Sequence, residues 1–98
     1  MTKTVKQSQQ NRLTNYMEEL AHQALEGLLA GEKRFRFSDG VKADIKALAL
    51  NRLWPMYMTT ESGREFFRKA IVEENIEKDI VRELRAAISI VQSNRRKR

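Results

Sequence analysis

The sequence has no cysteine, one proline and one histidine, and each scarcity removes a class of chemistry. Without cysteine there is no disulfide framework and no thiolate zinc site, which fits a reducing compartment. His22 has no second imidazole with which to build a relay or a metal site. A Gly-rich phosphate loop and a His-Glu-x-x-His pattern are also missing. The adjacent carboxylates Glu18–Glu19 and Glu73–Glu74 point ~100° apart on a helix and stand among other charges, so they read as solvated faces, not acid–base pairs. An enzyme is therefore not expected, and neither is a metal cofactor. The longest stretch free of Asp, Glu, Lys and Arg is the nine residues from Ala86 to Asn94, well below the ~20 needed to span a bilayer. The polar opening, Met1 to Asn11, has no apolar segment of the secretory kind, so a cytoplasmic protein without a membrane partner is expected.

What remains is a 98-residue chain, 41% hydrophobic and 33% charged, suited to one small soluble domain with a modest core. Its net charge of +6 resides in Lys3, Lys6 and the terminal run Arg95-Arg96-Lys97-Arg98; the other thirteen Lys and Arg are matched by thirteen Asp and Glu. Phosphate-dominated binding requires a basic face on the folded body, so this distribution argues against nucleic acid as the principal partner. The expected division is a disordered segment over 1–10, a helical domain over 11–93 and a basic tail over 94–98.

Leu13, Tyr16, Met17, Leu20, Ala21, Ala24, Leu25, Leu28 and Leu29 form one apolar helical stripe, which Asn11, Thr14 or Asn15 can cap and Gly31 can end. His22 falls off that stripe and reads as exposed. In the connector from Glu32 to Gly40, Phe35 and Phe37 are expected to pin the chain to the core while Arg34 and Arg36 face outward. A second helix is expected from about Gly40 to Leu53, capped by Ser38 or Asp39 and stopped by Pro55.

At ~100° per residue, Val41, Ile45, Leu48 and Ala49 occupy one arc of this second helix, and Ala43, Ala47 and Leu50 another. Asp44 and Asn51 lie between the arcs, and Lys42 and Lys46 project away from Asp44 toward solvent. Two apolar arcs in so small a protein imply that one meets a second copy of the chain, in a homodimer. Residues Met56 to Gly63 read as an exposed connection. Helix resumes at Thr60 or Ser62, the latter forming a capping box with Glu65. Phe66, Phe67, Ala70 and Ile71 then give an apolar patch, and Ile76, Ile80, Val81, Leu84, Ile88 and Val91 a longer stripe. The phase change predicts a bend near Glu73 to Asn75, within one helix or between two. The fold class is all-α, a single-domain bundle of about four helices.

The segment Asp44-Ile45-Lys46-Ala47-Leu48-Ala49-Leu50-Asn51-Arg52-Leu53-Trp54-Pro55-Met56-Tyr57 resembles the central motif of the late-competence development ComFB family, in which Asp, an Ala-Leu-Asn-x-Leu-x-Pro run and Tyr recur. Asn15-Tyr16-Met17-Glu18 and Thr59-Thr60-Glu61-Ser62-Gly63 are similar to its flanking elements, and the resemblance covers roughly Asn11 to Gln92. It implies a small helical cytoplasmic homodimer. Some members bind structural zinc through cysteines before the Asp; here Arg36, Ser38 and Val41 occupy that region, so no zinc is expected. The cyanobacterial members that this sequence resembles are receptors for cyclic di-GMP and in some cases cyclic di-AMP.

Such a ligand calls for a cation, a flat group and an amide or carboxylate able to read a base edge. The residues supplying these are Asp44, Asn51, Arg52, Tyr57 and Arg64: Asp44 to a guanine edge, Asn51 to a base or a loop, Tyr57 stacking, Arg52 or Arg64 on phosphate. For Asp44 and Asn51 a structural role at the helix ends is an equal alternative. The competing functions are a ligand-independent adaptor for an unidentified protein in competence, motility or secretion, and a nucleic-acid binder working through its tail.

Overall fold

The computed structural model describes residues 12–96; the expected disordered segment 1–10 and the last two residues of the basic tail lie outside them. Two very short strands and four helices follow in the order β1 (Thr14–Asn15), α1 (Tyr16–Ala30), α2 (Asp39–Leu50), β2 (Tyr57–Met58), α3 (Glu61–Glu73) and α4 (Ile76–Arg96). The described residues thus form an all-α bundle of four helices, as the periodicities predict.

Helix α1 starts at Asn15, whose extended backbone and side-chain oxygen cap the N–H of Met17 at 3.1 Å. Its stripe enters the core through Tyr16, Met17, Ala21 and Leu25. Leu13 does not open that stripe: it is 66% exposed, because the chain just after it is held extended by antiparallel pairing of Thr14 with Met58 and Asn15 with Tyr57. The same pairing corrects the reading of 56–63 as an exposed connection. Met56 and Met58 are buried and only Tyr57 between them faces out, the alternation that a strand imposes.

Ser38 caps α2 by accepting from the N–H of Val41 at 3.2 Å. The helix ends at Leu50, three residues earlier than expected. The N–H groups of Arg52 and Leu53 bond to Ala49 and Leu50 respectively, three residues back, so the chain tightens before Pro55 is reached. Ile45 and Ala49 are buried, whereas Ala43 and Ala47 on the other arc are exposed. Lys42 and Lys46 do not project into open solvent: both are half-buried against α1, with Lys42 Nζ 3.5 Å from Glu26 and Lys46 Nζ 3.1 Å from His22 Nδ1. Four-carbon stems can reach the neighbouring helix while lying over apolar surface. Phe35 and Phe37 stack at 5.6 Å and pack on the core edge, while Arg34 and Arg36 are exposed.

Thr60, not Ser62, caps α3, accepting from the N–H of Gly63 at 3.2 Å; Ser62 already lies inside the helix, so the expected capping box is absent. Gly63 packs closely on β2, since a Cβ there would come within 3.2 Å of Met58 Cβ, a tight contact that the methionine would have to yield to by a few tenths of an ångström. At the other end Asn75 takes φ 53°, the left-handed region that asparagine tolerates better than most residues. It separates α3 from α4, and the region is two helices. Ile80, Leu84, Ala87, Ile88 and Val91 of α4 complete the core, with α2 lying principally against α4 and α1 touching both. Among the described residues no helix is long and apolar enough to cross a membrane.

Candidate functional site

The β1–β2 ribbon organises the polar end of the molecule. Met56 gives its N–H to Asn15 Oδ1 at 2.7 Å and receives the N–H of Tyr16 at 2.7 Å, so the segment after Pro55 is bound to the start of α1. This places Tyr57 directly across from Asn15, 59% exposed and facing outward.

Arg64, in the first turn of α3, reaches the first turn of α1. Its guanidinium carbon lies 4.9 Å from the centre of the Tyr16 ring, Nη1 donates to Glu19 Oε2 at 2.9 Å, and Nε is 3.4 Å from Glu61 Oε1. The Glu19 hydrogen bond holds Arg64 above the ordinary arginine range, against the opposing effect of burial. One turn along, Arg68 is held above its ordinary range by Tyr16 and by Glu65, with which it pairs. Arg64 over the buried ring of Tyr16 therefore lies at the start of α1, and the exposed ring of Tyr57 stands on the strand paired with the residue before it. Among the described contacts no bond engages Nη2 of Arg64, and a guanidinium carries five N–H donors.

Of the five expected site residues, the structure therefore ties Tyr57 and Arg64 to one neighbourhood. Arg52 is turned toward α4, where its Nε lies 3.2 Å from Glu83 Oε1. Asn51 ends α2 through its backbone N–H, bonded to the carbonyls of Ala47 and Ala49, and its side chain is exposed. Asp44 is exposed on α2. Among the described residues no hydrogen bond or ion pair joins any two of the five.

Tyr16, Glu19 and Arg68 were not singled out by sequence. The i, i+4 spacing of Arg64 and Arg68 put them on one face of a helix, and Tyr16 was the one stripe residue with a polar tip. Nothing in the sequence paired Arg64 with a glutamate 45 positions earlier. The zinc that the resemblance implies for some relatives does not fit the residues here: Arg36, Ser38 and Val41 offer no thiolate.

The family described as late competence development protein ComFB matches residues 14–95. No curated protein matches the chain.

Proposed function

Because the chain belongs to the late competence development ComFB family, we propose that it is a non-enzymatic signalling protein that binds a cyclic dinucleotide, cyclic di-GMP or cyclic di-AMP, and relays it to a partner protein. The observation that carries this reading is Arg64 held over Tyr16, with the exposed Tyr57 on the strand that pairs with the preceding residue, Asn15. A cyclic dinucleotide presents two phosphates and two purines. The Nη2 donors of Arg64 suit a phosphate oxygen and the outward ring of Tyr57 suits a purine face. Glu19 and Glu61 fix the guanidinium without consuming all of its donors. Asp44, Asn51 and Arg52 form a second set of polar groups on the α2 side, and they take part in the proposal as readers of the base edge and of the second phosphate. The exposed Ala43 and Ala47 support a homodimer through the small-residue arc of α2.

The test is calorimetric titration with each cyclic dinucleotide. Saturable, stoichiometric binding that Arg64→Ala and Tyr57→Ala each weaken supports the reading. Absence of binding to both ligands sinks it.

A second reading, a ligand-independent adaptor, is favoured by Trp54, Phe66 and Val72, which are 87%, 70% and 78% exposed. Isolated apolar side chains on a surface are ordinary, but three large ones on a small domain suit a protein contact. An adaptor keeps its specific protein partner when no cyclic dinucleotide is present and loses it on Trp54→Ala or Phe66→Ala.

A further inference from the structure

A polar recess, on elements other than those of the β1–β2 ribbon, lies between the end of α1, the following connector and the Arg85–Gln92 stretch of α4. It is a cavity of about 320 Å³ whose walls include Gly27, Arg34, Phe35, Arg85, Ser89 and Gln92, at the lower end of the ~300–1,000 Å³ typical of small-ligand sites. We propose that this cavity binds a nucleoside monophosphate, an aromatic base carrying a single phosphate. The inference goes beyond the cyclic-dinucleotide reading, since it concerns a smaller ligand at a different place.

Four observations converge on that class. Arg85, Ser89 and Gln92 recur at intervals of four and three on α4, so one face of the helix presents a cation, a hydroxyl and an amide to the cavity. Among the described residues no ion pair engages Arg85, whereas the carboxylate of the lining residue Glu32 is 3.5 Å from Arg34. The recess therefore keeps an uncommitted guanidinium for an anion. Opposite, Phe35 carries the guanidinium of Arg34 at 5.1 Å from its ring centroid and stacks on Phe37, which makes a flat wall against which an aromatic base can lie.

The fourth observation is Gly27. It lies inside α1, where glycine is the poorest helix former after proline. Its φ is not positive and a Cβ built on it meets nothing within 4 Å, so neither backbone geometry nor packing calls for glycine. What the missing side chain does is keep the groove open; Gly27 and Leu28 line this cavity and also an adjoining one of about 380 Å³. In the bound state the phosphate bonds Arg85, the base lies on the Phe35–Arg34 wall, and Ser89 and Gln92 bond its edge.

The experiment is titration of the full chain with 5′-GMP and 5′-AMP, followed by calorimetry and amide chemical shifts, with inorganic phosphate as a parallel arm. At least one nucleotide is expected to bind saturably. Arg85→Gln should weaken it by about tenfold or more, the scale of a lost charge-assisted bond. Gly27→Leu fills the groove and favours helix, so it should abolish binding while leaving thermal stability equal or raised. Arg64→Ala should bind the mononucleotide like the parent chain, which separates this site from the cyclic-dinucleotide site. The proposal is overturned by no saturable binding at millimolar nucleotide, by phosphate alone binding as tightly as the nucleotides, or by Gly27→Leu and Arg85→Gln binding unchanged.

Discussion

One oxygen of Asn15 closes both ends of a long loop: Oδ1 accepts the N–H of Met17 at 3.1 Å and that of Met56 at 2.7 Å. The first bond caps α1. The second fixes the chain that leads into β2. Replacing Asn15 by Ala removes a helix cap, worth ~0.5–2 kcal/mol, and leaves the part-buried Met56 N–H without its partner, worth up to ~1–3 kcal/mol. Urea unfolding of Asn15→Ala should show a loss of about 2–4 kcal/mol, with Asn15→Asp losing less because it keeps both acceptors. A loss below about 0.5 kcal/mol would show that neither bond matters.

Arg64→Ala should separate binding from folding. Its two carboxylate partners are substantially exposed, so the ion pairs are solvent-screened and the stability cost should stay near or below about 1 kcal/mol. Ligand binding should weaken by about 1–3 kcal/mol, as it should in Tyr57→Ala. Arg64→Lys should not restore it, because a lysine cannot serve Glu19 and a phosphate with one planar fork. Since Arg64 is held above the usual arginine range, its favourable pairing is complete below the unfolded-state value and lost only as pH rises through the folded one. Its protonation therefore contributes no pH dependence to binding between pH 5 and 9.

Asn75→Ala places an ordinary side chain at φ 53° and should cost about 1–2 kcal/mol. Asn75→Gly should be equal to the parent or better. If chemical denaturation ranks Ala above Gly, the left-handed junction between α3 and α4 is not how the chain turns.

Leu84 has no exposed surface and lies on the stripe of α4. Leu84→Ala should lower stability by about 2–5 kcal/mol, a large share of the ~5–15 kcal/mol available to a small domain. An unchanged midpoint in guanidinium would show that α4 does not supply the core.

The proposed dimer is tested at Ala47, exposed on the small-residue arc of α2. Sedimentation equilibrium at micromolar concentration should give twice the chain mass, and Ala47→Glu should halve it. A monomeric parent chain removes the dimer from the proposal.

Periodicity made α1 and α4 readable because each buries a stripe: in α4, Ile80, Leu84, Ile88 and Val91 recur at helical spacing and are all buried. What could not be read was set by distant pairing. Leu13 continued the α1 pattern in sequence, yet the extended pairing of Thr14–Asn15 with Tyr57–Met58 left it outside. Met56 and Met58 looked like loop residues until a partner strand gave them an inside. Tyr57 and Arg64 were named from their residue types; Tyr16 and Glu19, which position Arg64, depend on a contact 45 residues long. The residues of the proposed site were therefore legible and the frame that holds them was not.

Helix α3 begins at a threonine cap, ends just before a left-handed asparagine and buries only Ile71 of its thirteen residues. Such a segment can detach while the rest of the bundle stands, so its amides should exchange with solvent through local opening ahead of those in α1 and α4. Arg64 travels with it, and its bond to Glu19 is a clasp across that seam. A ligand gripping Arg64 would lower the frequency of detachment, so occupancy could reach a partner as a change in how often α3 lets go, with no new shape required.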